Sequence, residues 1–239
     1  MNNIIMEEQE PQFVLMFSGG LDSYLALLTL LDNGIDPKLV YVEHGSKNND
    51  EQLFEAKKLA KRHGKELIID RTLSLGQWEE ENAFIPNRNG LLAFIGALYG
   101  DFIYFAIMDG EQTYEDCRQD TFMALSVALS KLSGRPVVVN SPFWELTKAE
   151  VIENLDPEHY PYLKETYSCH NGTYKHCGYC SACFRRFVAF EVNGIEDEWI
   201  VDPWTTGLAE DYYEKAMSDY YGGKRDGEIL RALEGRGYV

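Results

Sequence analysis

Five short apolar runs recur between residues 13 and 140, each but the last followed by a longer stretch, mostly of helical periodicity. The predicted strands are 13–17, 39–43, 66–70, 102–108 and 136–140, and the predicted helices between them are 21–31, 51–63, 91–99 and 119–132. Runs such as Phe13-Val14-Leu15-Met16-Phe17 are continuously apolar rather than alternating, as expected of strands buried on both faces. The links are long enough for crossovers, so the predicted class is α/β with a doubly wound parallel sheet. After Ser141 the pattern changes: Thr147 with Glu150 reads as a capping box opening a helix at 148–155, and a second helix is expected over 181–192. The last 40 or so residues read as acidic helices with a glycine-rich tail. The expected division is an α/β domain over 11–145 and a helical C-terminal region over 146–239.

Charge narrows the function. Lys and Arg number 22 against 39 Asp and Glu, a formal net charge of −17. Gripping a nucleic-acid backbone requires a basic surface, so a small-molecule substrate is expected and a nucleic-acid partner is not. With 45% hydrophobic residues the chain can build a core, and no apolar run reaches the ~18 residues of a membrane span. The start, MNNIIMEEQEPQ, is acidic and polar, unlike a secretory or transit signal, so a cytoplasmic location is expected.

The sharpest local signal is Ser18-Gly19-Gly20-Leu21-Asp22-Ser23, between a strand and a helix. Two glycines let backbone amides converge on an anion, the helix adds its positive end, and the hydroxyls of Ser18 and Ser23 can donate to phosphate. Asp22 is placed to hold Mg2+ against a triphosphate. The loop is not of the lysine-bearing GxxxxGK[ST] type. It resembles the pyrophosphate loop of the N-type ATP pyrophosphatases; the alternative is a glycine turn capped by serine.

Five cysteines are present, and Cys169, Cys177, Cys180 and Cys183 crowd together with short spacers. Four thiolates at this spacing suit structural zinc, with an iron–sulfur cluster as the rival metal and four buried free thiols as the non-metal alternative. Gly178 permits the tight turn between ligands, and Arg185 and Arg186 can offset the thiolate charge. His170 and His176 read as bystanders, because four sulfurs already fill the shell.

Taken together, FSGGLDS at 17–23, FIPNRN at 84–89, YEDCRQDTF at 114–122, LTKAEV at 146–151 and SCHNGTYKHCGYCSACFRR at 168–186 resemble the 7-cyano-7-deazaguanine synthases of queuosine biosynthesis. The likeness runs from about Phe13 to Phe190. It implies an ATP pyrophosphatase fold that converts 7-carboxy-7-deazaguanine and ammonia to a nitrile through an acyl adenylate and an amide, using ATP, Mg2+ and Zn2+. It further implies ATP contacts from Phe17, Ser18, Gly19, Gly20, Leu21, Asp22 and Ser23, substrate contacts from Arg88, Asn89, Asp116 and Arg118, and catalytic roles for Asp22, Arg88 and Lys148. Read singly, Arg88 and Lys148 are as well explained as solvated residues near helix starts, and Cys117 as packing or pocket lining.

Several segments depart from the family's pattern. YGQxHxxE appears as HGSKNNDE at 44–51, so Ser46 and Asn48 stand for glutamine and histidine. VPGRN becomes IPNRN, the D-x-S-G-Y segment reads Gly110-Glu111-Gln112-Thr113-Tyr114, and the first cysteine spacer is short. These changes keep a second reading open, in which the adenylated carboxylate stops at the amide or is passed to another amine, even on a protein. A tRNA-modifying pyrophosphatase is disfavoured by charge, and a zinc-knuckle interaction protein by the intact loop. A homodimer stays open.

Overall fold

The computed structural model describes residues 10–112 and 114–238. The acidic stretch 1–9, Thr113 of the divergent 110–114 segment and Val239 lie outside the described residues. The elements run β1 (Phe13–Met16), α1 (Leu21–Asp32), β2 (Lys38–Val42), α2 (Asn49–Arg62), β3 (Leu67–Asp70), α3 (Arg88–Tyr99), β4 (Phe102–Tyr104), α4 (Gln119–Ser133), β5 (Val138–Asn140), α5 (Lys148–Glu153), α6 (Tyr160–Leu163), α7 (Ser181–Val192), α8 (Gly207–Met217) and α9 (Lys224–Glu234). The strands form one parallel sheet in the order β3-β2-β1-β4-β5. β1 is central, with Leu15 in register with Leu39 on one side and Tyr104 on the other. The strand order reverses there, and in such sheets the crevice at the strands' C-terminal ends at this point is where ligands bind.

The doubly wound α/β class is therefore observed. β4 and β5 are shorter than the sequence predicts, for a visible reason. Beyond Phe105, whose amide still donates to the Asn140 carbonyl at 2.9 Å, the chain leaves the ladder, and Ile107 exchanges bonds with the Ser141 hydroxyl, whose oxygen accepts from the Ile107 amide at 3.1 Å and donates to its carbonyl at 2.7 Å. Before β5, the Val137 amide donates to Ser130 Oγ at 2.9 Å instead of to a strand. Hydroxyls have taken over the ladder positions.

One face of the sheet is covered by α1, α2, α5 and α7, and the other by α3 and α4. Ala149, Ile152, Ala189 and Phe190 of α5 and α7 share one core with Leu25 and Leu28 of α1. α5 opens on the anticipated capping box, Thr147 accepting from the Glu150 amide and Glu150 from the Thr147 amide. α8 and α9 add a smaller core against Phe184, Phe187 and Val188 of α7. No helix among the described residues is long and apolar enough to cross a membrane.

Candidate active site

The loop between β1 and α1 lies at the switch point. Gly19 has φ +75°, a left-handed conformation, and a Cβ there would sit 2.5 Å from the Ala56 amide nitrogen of α2. Only glycine lets α2 close this tightly over the loop. The hydroxyls of Ser18 and Ser23 lie 3.1 Å apart, Ser18 Oγ accepts from the Gly20 amide at 3.2 Å, and Ser23 donates to the Gly20 carbonyl at 3.0 Å. Two hydroxyls thus converge at the α1 N-terminus, whose first amides have no partner within the helix.

Beside them Lys148, the first residue of α5, bridges two carboxylates, at 2.8 Å from Asp22 and 2.9 Å from Glu111. Arg185 of α7 approaches Glu111 at 3.8 Å. Burial would raise Glu111, but Lys148 and Arg185 outweigh it and hold the acid at about 2. Asp22 goes the other way: burial raises it and nearby Glu111 adds to the rise, more than Lys148 can offset. Burial alone would lower Lys148, yet its two carboxylates raise it and keep it charged. The shared lysine leaves Asp22 the carboxylate short of positive charge, which is the condition that favours a divalent cation beside it.

α9 closes this network from behind. Arg225 donates to the carbonyl of Gly110, next to Glu111, and Thr147 donates its hydroxyl to Glu228. Lys224 pairs with Glu150 at 2.8 Å. Glu111, one of the two carboxylates that grip Lys148, and Thr147, which precedes it, are therefore braced by the C-terminal helix.

Ser18, Asp22, Ser23, Glu111, Lys148 and Arg185 line one cleft of about 340 Å³. Arg88, Asn89 and Asp116 share it with Asp22, Lys148 and the serines, so the sequence motifs converge although they lie far apart in the chain. Asn89 is fixed by its amide donating to Asp116 Oδ2 at 3.0 Å and by its side chain donating to Cys117 Sγ at 3.1 Å. Burial and Asp116 push the Cys117 thiol up to about 12, consistent with lining rather than nucleophilic duty. Arg118 does not join them: it pairs with Glu115 at 3.0 Å, is half exposed and does not line the cleft. Phe17 is buried in the core behind the loop and borders a smaller adjoining cleft with Tyr41 and Gln52.

Among the lining residues that sequence reasoning missed are Glu111, His44, His170 and, as a cleft residue, Arg185. Glu111 sits in a segment noticed only for its divergence. His44 and His170 are held down to about 4, by burial first and then by nearby arginines, so both rings are neutral at pH 7. Arg186 does not serve the thiolates. It is fully buried and spent on Asp197 at 2.5 Å, Thr166 Oγ1 at 2.5 Å and the Leu163 carbonyl at 3.0 Å.

The four cysteines form the candidate metal centre. Their sulfurs lie within 4.8 Å of one another, with Cys177 and Cys183 at 3.9 Å. At a zinc–sulfur distance of about 2.3 Å a tetrahedron has edges of about 3.8 Å, so the set fits zinc. The Cys183 amide donates to Cys180 Sγ at 3.5 Å, the Asn171 amide to Cys169 Sγ at 3.4 Å and its side chain to Cys177 Sγ at 3.3 Å, an outer layer suited to thiolates. Gly178, at φ +85°, turns against the Val201 carbonyl where a Cβ has no room. His176 is no ligand: its Nε2 accepts from the Ser168 amide and its ring stacks on Tyr167.

The cysteine region is tied to the loop region. Tyr167 donates its amide to the Gly19 carbonyl at 3.1 Å, and Asn48 its side-chain amide to the Cys169 carbonyl at 3.0 Å. Ser46 donates to Asn48 Oδ1 at 3.1 Å. Two of the divergent residues therefore serve as structural stitches.

Residues 65–194 match the family model described as "Queuosine biosynthesis protein QueC". A 7-cyano-7-deazaguanine synthase of Archaeoglobus fulgidus is 32% identical over 217 residues, covering 79% of this chain and 90% of the relative. One from Marinomonas sp. is 29% identical over 210 residues, covering 77% and 95%, and a "7-cyano-7-deazaguanine synthase 2" of Colwellia psychrerythraea is 24% identical over 212, covering 78% and 96%. A parallel sheet with the phosphate-type loop at its switch point, a four-cysteine cluster docked on that loop and these likenesses together show that the chain belongs to the queuosine biosynthesis protein QueC family.

Proposed function

We propose that this enzyme is an ATP-dependent ligase that converts 7-carboxy-7-deazaguanine and ammonia to 7-cyano-7-deazaguanine, releasing AMP and pyrophosphate. The observation that carries the reading is the Asp22–Lys148–Glu111 bridge at the mouth of the Ser18–Ser23 loop, in the cleft that also holds Arg88 and Asn89. The relatives' name supplies the substrate class, and the cleft supplies the means.

The loop amides and the Ser18 and Ser23 hydroxyls hold the β- and γ-phosphates. A carboxylate oxygen of the substrate, oriented by Arg88, attacks the α-phosphorus; the bond to the bridging oxygen breaks and pyrophosphate leaves with the electron pair. Lys148 neutralises charge growing on the phosphoryl oxygens, which is where stabilisation counts most in such transfers. Ammonia then attacks the acyl carbon, AMP departs, and the extra proton is lost from nitrogen, giving the amide. In the second round the amide oxygen attacks the α-phosphorus of another ATP, expelling pyrophosphate, and loss of AMP with both nitrogen protons leaves the nitrile. Asp22 would hold Mg2+, which would supply charge neutralisation on the triphosphate. Cys169, Cys177, Cys180 and Cys183 would hold zinc in a structural part only, since four thiolates would leave no open position. Thiolates of this kind persist in a reducing compartment, which supports a cytoplasmic location.

The divergence at Ser46, Asn48 and 110–114 supports one second reading, the same adenylation followed by release of the amide or transfer to another amine. Release of AMP from ATP, followed with and without 7-carboxy-7-deazaguanine, tests the shared step. AMP that depends on the carboxylate is expected; AMP formation indifferent to it overturns the substrate assignment.

A further inference from the structure

We infer that a second, smaller cavity, behind the Asp22–Lys148–Glu111 bridge, is the chamber through which ammonia reaches the cleft. The inference rests on the adenylation reading above and adds the route of its nucleophile. The cavity measures about 30 Å³ and lies where α5, α7, α8 and α9 meet, walled by Ala149, Val188, Tyr212 and Ile229. A water molecule needs ~10–15 Å³ of such space, so the cavity has room for about two molecules of that size. Glu111, Lys148 and Arg185 line both this cavity and the cleft, so the two spaces share a wall of three side chains. Asp109 also lines the cavity and is exposed, which sets the outer end at the protein surface.

Size and timing select the ligand. The acyl adenylate joins a nucleotide to a bicyclic base, and a pocket ordinarily buries most of the surface of such a ligand. Seated in the cleft, it covers the way in from the front at the moment the nucleophile must arrive. Of the reactants, ammonia alone is small enough for the rear cavity. Phe184, Val188 and Ile229, all buried, give the chamber an apolar middle, where neutral ammonia is accepted at far less cost than ammonium. Lys148 and Arg185 repel a cation at the inner end. Ammonia therefore crosses as the free base, and the ammonium proton is left to solvent at the Asp109 end. Arg185 offers it a partner on arrival. Its buried Nε stands 3.8 Å from Glu111 and makes no hydrogen bond among the described residues. That N–H can hold the ammonia lone pair until the acyl carbon is presented.

The test is a set of kinetic titrations on the full chain. Val188→Phe, which fills the chamber from α7, should raise KM for ammonium at least about tenfold. Carboxylate-dependent exchange of labelled pyrophosphate into ATP, which reports adenylation before any ammonia is used, should stay within about twofold of the parent. Supplied with the preformed amide, which needs no ammonia, the variant should form the nitrile at the parental rate. Should Val188→Phe misfold, Ile229→Phe fills the same space from α9. Ile229→Ala, which widens it, should raise the use of methylamine relative to ammonia severalfold, giving the N-methyl amide. An unchanged KM for ammonium in the filled variants, an equal loss with the preformed amide, or a methylamine preference unmoved by Ile229→Ala would overturn the chamber and leave adenylation standing. A parent without carboxylate-dependent exchange would overturn adenylation itself, and this inference with it.

Discussion

Asp22 bears the heaviest chemical demand among the carboxylates of the cleft. It shares Lys148 with Glu111, yet Glu111 has Arg185 as well, so Asp22 is left under-neutralised and its acidity is weakened by burial. Removing its charge while keeping its shape isolates that role. Asp22→Asn should lower kcat/KM for AMP release at least about 100-fold with the fold intact, the size expected when a charge-stabilising group is lost. Activity within a few-fold of the parent would take Asp22 out of the reaction. His44 makes a pH prediction. Burial, then Arg88, lowers it from 6.5 to about 4, so folding favours the neutral ring. The stability this contributes is complete above about pH 6.5 and is lost as pH falls through the folded value near 4. Denaturant midpoints should drop over that window, and His44→Asn should flatten the drop; an unchanged slope would show that the ring does not titrate as its burial requires.

At the scale of elements, α5 and α9 act as one device. Thr147 caps α5, and its hydroxyl donates to the buried Glu228 of α9, so the helix that presents Lys148 is anchored from behind. Glu228→Ala should cost about 1–2 kcal/mol in denaturant unfolding, the usual scale for a buried hydrogen bond and cap, while Glu228→Gln keeps an acceptor and should recover most of it. Equal losses in both variants would mean that charge rather than the bond matters. Much of this scale was legible in the sequence. Continuous apolar runs marked the strands, Thr147 and Glu150 marked the α5 start, and Ser18–Ser23 marked the switch-point loop, because each follows from local chemistry. Glu111, His44 and the α9 braces were not legible, since nothing local distinguishes a glutamate on a loop from a solvated one until Lys148 and Arg185, remote in sequence, are folded against it. Arg118 lies apart from the cleft for the converse reason: its motif is local, but a neighbouring Glu115 claims its guanidinium.

For the whole molecule, the four-cysteine centre and the phosphate-type loop form one mechanical unit. Tyr167 grips Gly19, Asn48 grips Cys169, and Gly172 packs with no spare room against the Lys47 carbonyl. Metal removal should therefore reach the loop. Stripping zinc with a chelator, or Cys180→Ser, should lower the unfolding temperature and weaken ATP binding together, as read by calorimetry and nucleotide titration. A metal-free protein that binds ATP as the parent does would separate the two regions and refute the coupling.

The central claim is that this cleft adenylates a deazaguanine carboxylate on the way to a nitrile. Mass spectrometry of the product formed from 7-carboxy-7-deazaguanine, ATP, Mg2+ and ammonia tests it most directly. The account predicts the nitrile, with two AMP formed per substrate consumed. An amide with one AMP, or substrate consumed only when another amine is supplied, would contradict nitrile synthesis and make the divergent loops the seat of a changed acceptor.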